Sequence, residues 1–213
     1  MPRVVFADND IILKLAEYDL LSDARSLLSV KSTEVVVLDS AKHVYAGLKK
    51  KLQRGESVKR SLQGLDRAIE FVEAATQITD KANIDWAEDH DNIDIPEAQL
   101  ASWTVKTGGE SCLLTGDKRF LKALAQADAG EHIFRGLHSR VICLEEVIRA
   151  LIAELGFDNV RRKVASAPEC DTGIQLVFGS TFDLPEEPVK DGLESMLRDI
   201  TAVTGTGWLK RLS

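Results

Sequence analysis

Four acidic residues stand where the chain could bring carboxylates together. Asp8 directly follows a short, β-prone apolar run, and Asp10 lies two residues later. Asp117 follows a second such run, and Glu97 opens the helix predicted before it. Several unpaired carboxylates repel one another in a small site, so protons or a cation must offset their charge. Because oxygen-only ligand sets suit Mg²⁺ or Mn²⁺, these residues predict a divalent-cation site.

Each of these acids also has a structural explanation. Asp8, Asp10 and Asp117 precede predicted helices, where Asp is a favoured N-cap. Glu97 lies in a first helical turn, where the helix dipole favours a negative charge. The functional interpretation therefore depends on the four residues occurring together, and both interpretations stay open at this stage.

The elements that would position these acids alternate between strands and helices. Strands are predicted at Val4–Ala7, Glu34–Leu38, Ser111–Thr115 and Val141–Leu144, and a helix is predicted to begin near Pro96. This alternation predicts an α/β fold with a mainly parallel sheet over residues 1–156. Ligands bind beyond the carboxyl ends of parallel strands, which is where Asp8 and Asp117 are predicted to lie.

Residues 157–213 are predicted to form a C-terminal extension, to which the sequence assigns no role. Its pattern predicts a strand over 174–178 and a helix over 189–203.

The order of the acidic motifs resembles that of the PIN-domain ribonucleases. The matching segments are an apolar strand ending in Asp at 4–10, an acid–Ala helix start at 94–98 and a Thr-Gly-Asp turn at 113–121. The last segment is the most specific, and the resemblance covers about residues 3–155. It implies a three-layer α/β/α domain and metal-dependent hydrolysis of RNA. Asp8, Glu97 and Asp117 would be the catalytic residues, and they and Asp10 would bind Mg²⁺ or Mn²⁺.

One departure from the family pattern concerns the helix after the second strand. The family usually has a second acid there, often Glu, whereas residues 40–48 contain none. Ala46 falls close to the expected position, and Asp39 precedes the helix without matching it. Fewer carboxylates would weaken metal binding, so a catalytically degenerate PIN-like scaffold is an alternative.

Basic residues beside these motifs are candidates for binding the RNA backbone. Lys118 and Arg119 adjoin Asp117, and Lys49, Lys50 and Arg54 belong to a basic run. A solvated helix face explains that run equally well. The resemblance also suggests a toxin with an antitoxin protein as partner, and a homodimer is a further expectation.

A haloacid-dehalogenase-type phosphatase is the other alternative for the first motif. Asp8 would then be the nucleophile and Asp10 the general acid, with Ser40 after the second strand. Against it, no second Asp follows Asp117 within a few residues, and the acid–Ala helix has no role in that chemistry.

The composition sets outer bounds on these interpretations. The 213 residues are 44% hydrophobic and carry a formal net charge of −7, which disfavours a protein that coats nucleic acid by bulk charge. Three cysteines without C-x-x-C spacing predict neither a disulfide framework nor a cysteine zinc site. Without a signal-like N-terminus or an apolar run of about 20 residues, we expect a cytoplasmic protein with no membrane segment.

Overall fold

The sheet of the protein is all parallel and confirms the predicted α/β class. The structure is a computed structural model that describes residues 4–80, 82–88, 90, 92–126, 131–205 and 207–212. Its strands lie in the order β3-β2-β1-β4-β5. They are β1 (Val4–Ala7), β2 (Val35–Leu38), β3 (Thr76–Ile78), β4 (Ser111–Thr115) and β5 (Val141–Cys143). All four strands expected from the apolar runs are present.

Helices cover both faces of the sheet and make three layers. They are α1 (Asn9–Glu17), α2 (Leu21–Leu27), α3 (Ser40–Gln53), α4 (Leu62–Ala74), α5 (Asp85–Glu88), α6 (Ile95–Thr107), α7 (Lys118–Gln126), α8 (Glu131–Gly136), α9 (Leu144–Leu155), α10 (Phe157–Ala165), α11 (Thr172–Phe178) and α12 (Glu186–Thr204). Successive strand residues point to opposite faces. Val5 and Ala7 join a core with α1, α2, α4 and α9, whereas Phe6 joins the core with α6, α7 and α8.

Residues 157–212 contribute to the same two cores. Phe157 and Phe178 belong to the core on the α1 face, while Leu197 and Trp208 belong to the core on the α6 face. The last residues also run beside β5, where Lys210 donates a backbone hydrogen bond to Val141 at 2.7 Å. Residues from both the start and the end of the extension therefore pack onto the α/β unit.

The strand predicted over 174–178 is wrong, because these residues lie in α11. The Asp171 carboxylate caps this helix by accepting from the backbone N–H of Ile174 at 2.9 Å. Ile174 and Phe178 are buried at a spacing of four residues, while Leu176 between them is 75% exposed. Burial thus follows a helical rather than an alternating period. The helix predicted over 189–203 is confirmed within α12.

No helix in the described part of the chain is long and apolar enough to cross a bilayer. Cys112, Cys143 and Cys170 are free and buried.

Candidate active site

The order of the strands creates a crevice at the carboxyl ends of β1 and β4. From β1 the chain continues to β2 and β3 on one side of the sheet, while β4 and β5 lie on the other. Ligands bind at such points of reversal in open α/β sheets. Ala7 pairs with Leu114, and the backbone N–H of Asp8 continues this pairing by donating to Leu114 at 3.0 Å. Asp8 and Asp117 therefore follow adjacent strands, as the sequence predicts.

Asp8 is held by backbone hydrogen bonds from both sides of this crevice. Its Oδ1 accepts from the N–H of Ile11 at 2.8 Å, which makes it the N-cap of α1, and its Oδ2 accepts from the N–H of Gly116 at 3.0 Å. The residue is only 2% exposed. Burial raises the pKa of its carboxyl to about 6, and the charge of Asp10 acts in the same direction, while hydrogen bonds from Thr115 and Ile11 oppose the shift.

Asp117 caps α7 and is fixed by the turn that precedes it. Its Oδ1 accepts from the backbone N–H groups of Arg119 at 2.7 Å and Phe120 at 3.1 Å. Its own N–H donates to the Thr115 hydroxyl at 3.1 Å. A Cβ at Gly116 would lie 2.8 Å from Asp10 Oδ2, so a larger residue there would displace the Asp10 side chain. The turn after β4 can therefore approach α1 closely.

Glu97 lies in the first turn of α6 and has an unsatisfied carboxylate oxygen. Its Oε2 is buried and has no hydrogen-bond partner within the described structure. The pKa of Glu97 is raised to about 7, chiefly by burial and also by the charges of Asp8, Asp94 and Asp117, while a backbone hydrogen bond opposes the shift. Glu97 therefore lies in the electrostatic field of both strand-end acids.

The raised pKa of Glu97 predicts that the stability of the protein depends on pH and that Glu97→Gln removes this dependence. Because the folded-state pKa of Glu97 lies above the unfolded value, folded chains bind more protons between about pH 4 and pH 7, and stability falls as pH rises through this window. We expect Glu97→Gln to raise the free energy of unfolding by about 1–2 kcal/mol at pH 8, and by much less at pH 5. Urea unfolding of both proteins at the two pH values measures this. An equal change at both would contradict it.

Lys14 places a buried positive charge beside the acids. Its Nζ lies 2.5 Å from Asp10 Oδ2 and 2.8 Å from Asp171 Oδ2. Although burial lowers the pKa of Lys14, these two carboxylates raise it above its ordinary value, so the ammonium stays charged. Asp10, which the sequence predicts as a metal ligand, is therefore paired with a lysine. The i,i+4 spacing of Asp10 and Lys14 on a predicted helix could have indicated this pair, whereas nothing local indicates Asp171.

Helix α3 brings Tyr45, and not Ala46, to the strand ends. The Tyr45 hydroxyl donates to the backbone carbonyl of Asn9 at 2.8 Å. Burial raises the pKa of Tyr45, and the charges of Asp8 and Asp10 raise it further. The sequence did not point to this residue, because the family pattern directs attention only to acids on α3.

Ala46 lies on the face of α3 that adjoins α4. Its helical neighbours Lys42 and Lys49 form ion pairs with Glu73 and Asp66 of α4. We therefore expect Ala46→Glu to add no acid to the crevice and to leave any RNA cleavage rate unchanged. Next to two lysines, it should change the free energy of unfolding by less than about 0.5 kcal/mol. Cleavage assays and urea unfolding check both points, and a several-fold gain in rate would place residue 46 in the site.

A cleft of about 470 Å³ opens beside Asp10 and Asp117, between the α/β unit and the extension. Lys118 and Arg119 line one wall, and residues 170–173 line the other. Lys118 also pairs with the buried Glu145 at 2.7 Å.

The other predicted RNA-binding residues lie on α3. Lys49 forms its ion pair with Asp66, and Lys50 and Arg54 are exposed at the C-terminal end of the helix. None of the three lines the cleft.

The ligand atoms that the three acids offer are of the kind that a divalent cation prefers. Asp8, Glu97 and Asp117 offer only oxygen ligands, and the unsatisfied Oε2 of Glu97 is free to bind a metal ion. Across the residues that the structure describes, no group of three or more His, Cys, Asp or Glu side chains is arranged to hold a metal ion. The three acids thus interact electrostatically without forming a preassembled ligand cage.

Comparison with known proteins identifies no relative of this chain. No protein-family model, no curated protein and no solved structure matches this chain significantly. The similarity to PIN-domain ribonucleases therefore rests on the motifs in the sequence.

Proposed function

We propose that this protein is a divalent-cation-dependent endoribonuclease with Asp8, Glu97 and Asp117 as its catalytic residues. The observation that carries the proposal is the state of Glu97. Its Oε2 is buried without a partner in the described structure, and its pKa is raised by burial and by the charges of Asp8 and Asp117. A bound cation would satisfy that oxygen and offset the repulsion among the three carboxylates.

The roles of the residues follow from where they are held. Asp8, Glu97 and Asp117 would hold the cation, which when bound supplies an activated water and neutralises charge on the phosphate. Asp8 and Asp117 are fixed by backbone hydrogen bonds, which gives the rigidity that such a site needs. Lys118 and Arg119 border the cleft beside Asp117 and are suited to orienting a phosphodiester. No nucleophilic side chain is required.

A degenerate RNA-binding scaffold is the second candidate, and the Lys14 ion pairs favour it. The ammonium of Lys14 already neutralises Asp10, and α3 presents Tyr45 rather than an acid to the strand ends. The phosphatase alternative has less support. Both carboxylate oxygens of Asp8 accept backbone hydrogen bonds, and the residue is buried, so it is poorly placed to attack a phosphate.

The toxin role, with an antitoxin partner, and the homodimer stay predictions.

A cleavage time course on a labelled single-stranded RNA tests the proposal. We expect slow cleavage with Mn²⁺, slower cleavage with Mg²⁺ because Mn²⁺ generally binds a given ligand set more tightly, and none in chelator. A phosphatase dye substrate should stay intact. Cleavage that survives chelator would exclude the mechanism. RNA binding without cleavage under any of these conditions would favour the scaffold, and release of the dye would favour the phosphatase.

A further inference from the structure

We infer that the groove between the α/β unit and the C-terminal extension binds the backbone of single-stranded RNA and leads it to the Asp117 cleft. This inference rests on the proposed function for its substrate class. It assigns a role to residues 157–212, for which the sequence patterns predict none, and it places RNA binding away from the basic run on α3.

Two adjoining cavities form this seam groove. One has a volume of about 410 Å³ and the other about 330 Å³. Both are lined by Glu17 and Ser61 from the α/β unit and by Ser166 and Ala167 from the extension. Because they share walls on both sides, the two cavities make one groove along the junction.

The seam groove adjoins the cleft at the strand ends. Cys170 lines both the 330 Å³ cavity and the 470 Å³ cleft that contains Asp117. Arg60 joins the walls at this point, since its Nη1 donates to the Cys170 carbonyl at 3.4 Å and its Nη2 lies 3.9 Å from Asp10 Oδ1. The Arg60 guanidinium therefore bridges the two walls between groove and cleft, and an RNA chain in the groove would pass over it to reach Asp117.

The walls of the seam groove are positively charged, although the chain carries a net charge of −7. Five cations face three carboxylates along the two cavities. The cations are Lys59, Arg60, Arg67, Arg162 and Lys163.

Two of the three carboxylates of the groove are engaged by protein groups, whereas the third, that of Glu169, is exposed. Glu17 accepts from the Ser61 backbone N–H and from its hydroxyl, each at 2.8 Å. Asp19 lies 3.1 Å from Arg67 and 3.8 Å from Lys163.

Lys59 and Arg162 are the cations most available to a ligand. Both are exposed, and within the described part of the chain neither forms an ion pair with a carboxylate. Arg162 donates from its Nε to the Asp158 carbonyl at 3.3 Å. Cations placed on both walls of a groove that ends at a hydrolytic site match a polyanionic backbone, and single-stranded RNA fits by its flexibility.

The test is RNA binding in chelator, where cleavage is off, measured by fluorescence anisotropy at several salt concentrations. The groove variant is Lys59→Gln/Arg162→Gln. Its matched control is Lys31→Gln/Lys106→Gln, which removes the same charge beside the amino ends of β2 and β4, at the opposite edge of the sheet. All substituted residues lie outside strands and outside the buried cores, so both variants should fold, which circular dichroism verifies.

We expect the groove variant to bind a single-stranded RNA about tenfold more weakly. The plot of log binding constant against log salt concentration should become shallower by about 0.7 for each phosphate that the variant no longer neutralises. The control should stay within about twofold of the parent. Equal weakening of RNA binding in both variants would mean that only the total charge matters, and this would overturn the inference. Unchanged binding in the groove variant, or no RNA binding by the parent, would also overturn it.

This outcome is separable from that of the proposed function. A parent that cleaves RNA while the groove variant binds and cleaves normally would overturn the groove and leave the nuclease intact. A parent that binds through the groove and never cleaves would support the groove and overturn the nuclease.

Discussion

Asp117→Asn should reduce cation-dependent RNA cleavage by at least about 100-fold, because it removes a charged ligand where the cation must act. RNA affinity should stay within about twofold, since the cleft cations and the seam groove are untouched. Asn is as good an N-cap as Asp, so its side-chain oxygen can still accept from Arg119 and Phe120, and the melting temperature should hardly change. Cleavage time courses, RNA binding and thermal unfolding separate the three effects.

The matched control for this variant is Asp199→Asn, which makes the same charge change at an exposed position on α12. It should cleave at the parental rate. If Asp117→Asn also cleaves at that rate, Asp117 is not part of the catalytic site. If it loses RNA binding in parallel with cleavage, Asp117 acts on substrate binding rather than on chemistry.

Lys14→Met should destabilise the fold by about 3 kcal/mol, because it leaves two carboxylates facing each other without their cation. The side chains of Lys14 and Asp171 are each only 11% exposed, so water replaces the lost ammonium poorly. Urea unfolding near pH 7 measures the loss. The triple variant Lys14→Met/Asp10→Asn/Asp171→Asn should recover most of it, since neither carboxylate charge remains.

The pH dependence provides an independent check on the Lys14 pair. Burial alone would raise the pKa of Asp171, but Lys14 holds it below its ordinary value. A carboxyl with a depressed folded-state pKa adds stability above its unfolded pKa, and this is lost as pH falls below about 4. The parent should therefore lose stability on acidification through that range, and Lys14→Met should lose less. A Lys14→Met variant as stable as the parent would mean that the ion pair contributes nothing.

The strands and the two strand-end acids could be predicted because their signals are local. A run such as Val35–Leu38 is apolar on both faces, as a strand buried between two helical layers must be. Asp8 and Asp117 come directly after such runs. In contrast, β3 has three residues, of which Thr76 and Gln77 are exposed, so no apolar run marks it. It forms because β2 offers a parallel partner.

The rest of the site could not be predicted because it depends on contacts distant in sequence. Lys14 and Asp171 meet only because the extension folds back over the crevice, and Tyr45 hydrogen-bonds to Asn9, which lies 36 residues earlier in the chain. The error at 174–178 has another cause. Five apolar-rich residues fit a strand or a helical turn equally well, and the cap from Asp171 with the burial of Ile174 and Phe178 decides for the helix.

The proposed nuclease activity requires Asp8, Glu97 and Asp117 to bind one divalent cation together. The most direct test is anomalous scattering from crystals of the protein grown in Mn²⁺, compared with crystals of Asp117→Asn. We predict an anomalous peak in contact with the carboxylates of all three residues in the parent, and no such peak in the variant. A parent crystal saturated with Mn²⁺ that has no peak at this crevice, or in which the Lys14 ammonium is the only cation near the acids, would contradict it.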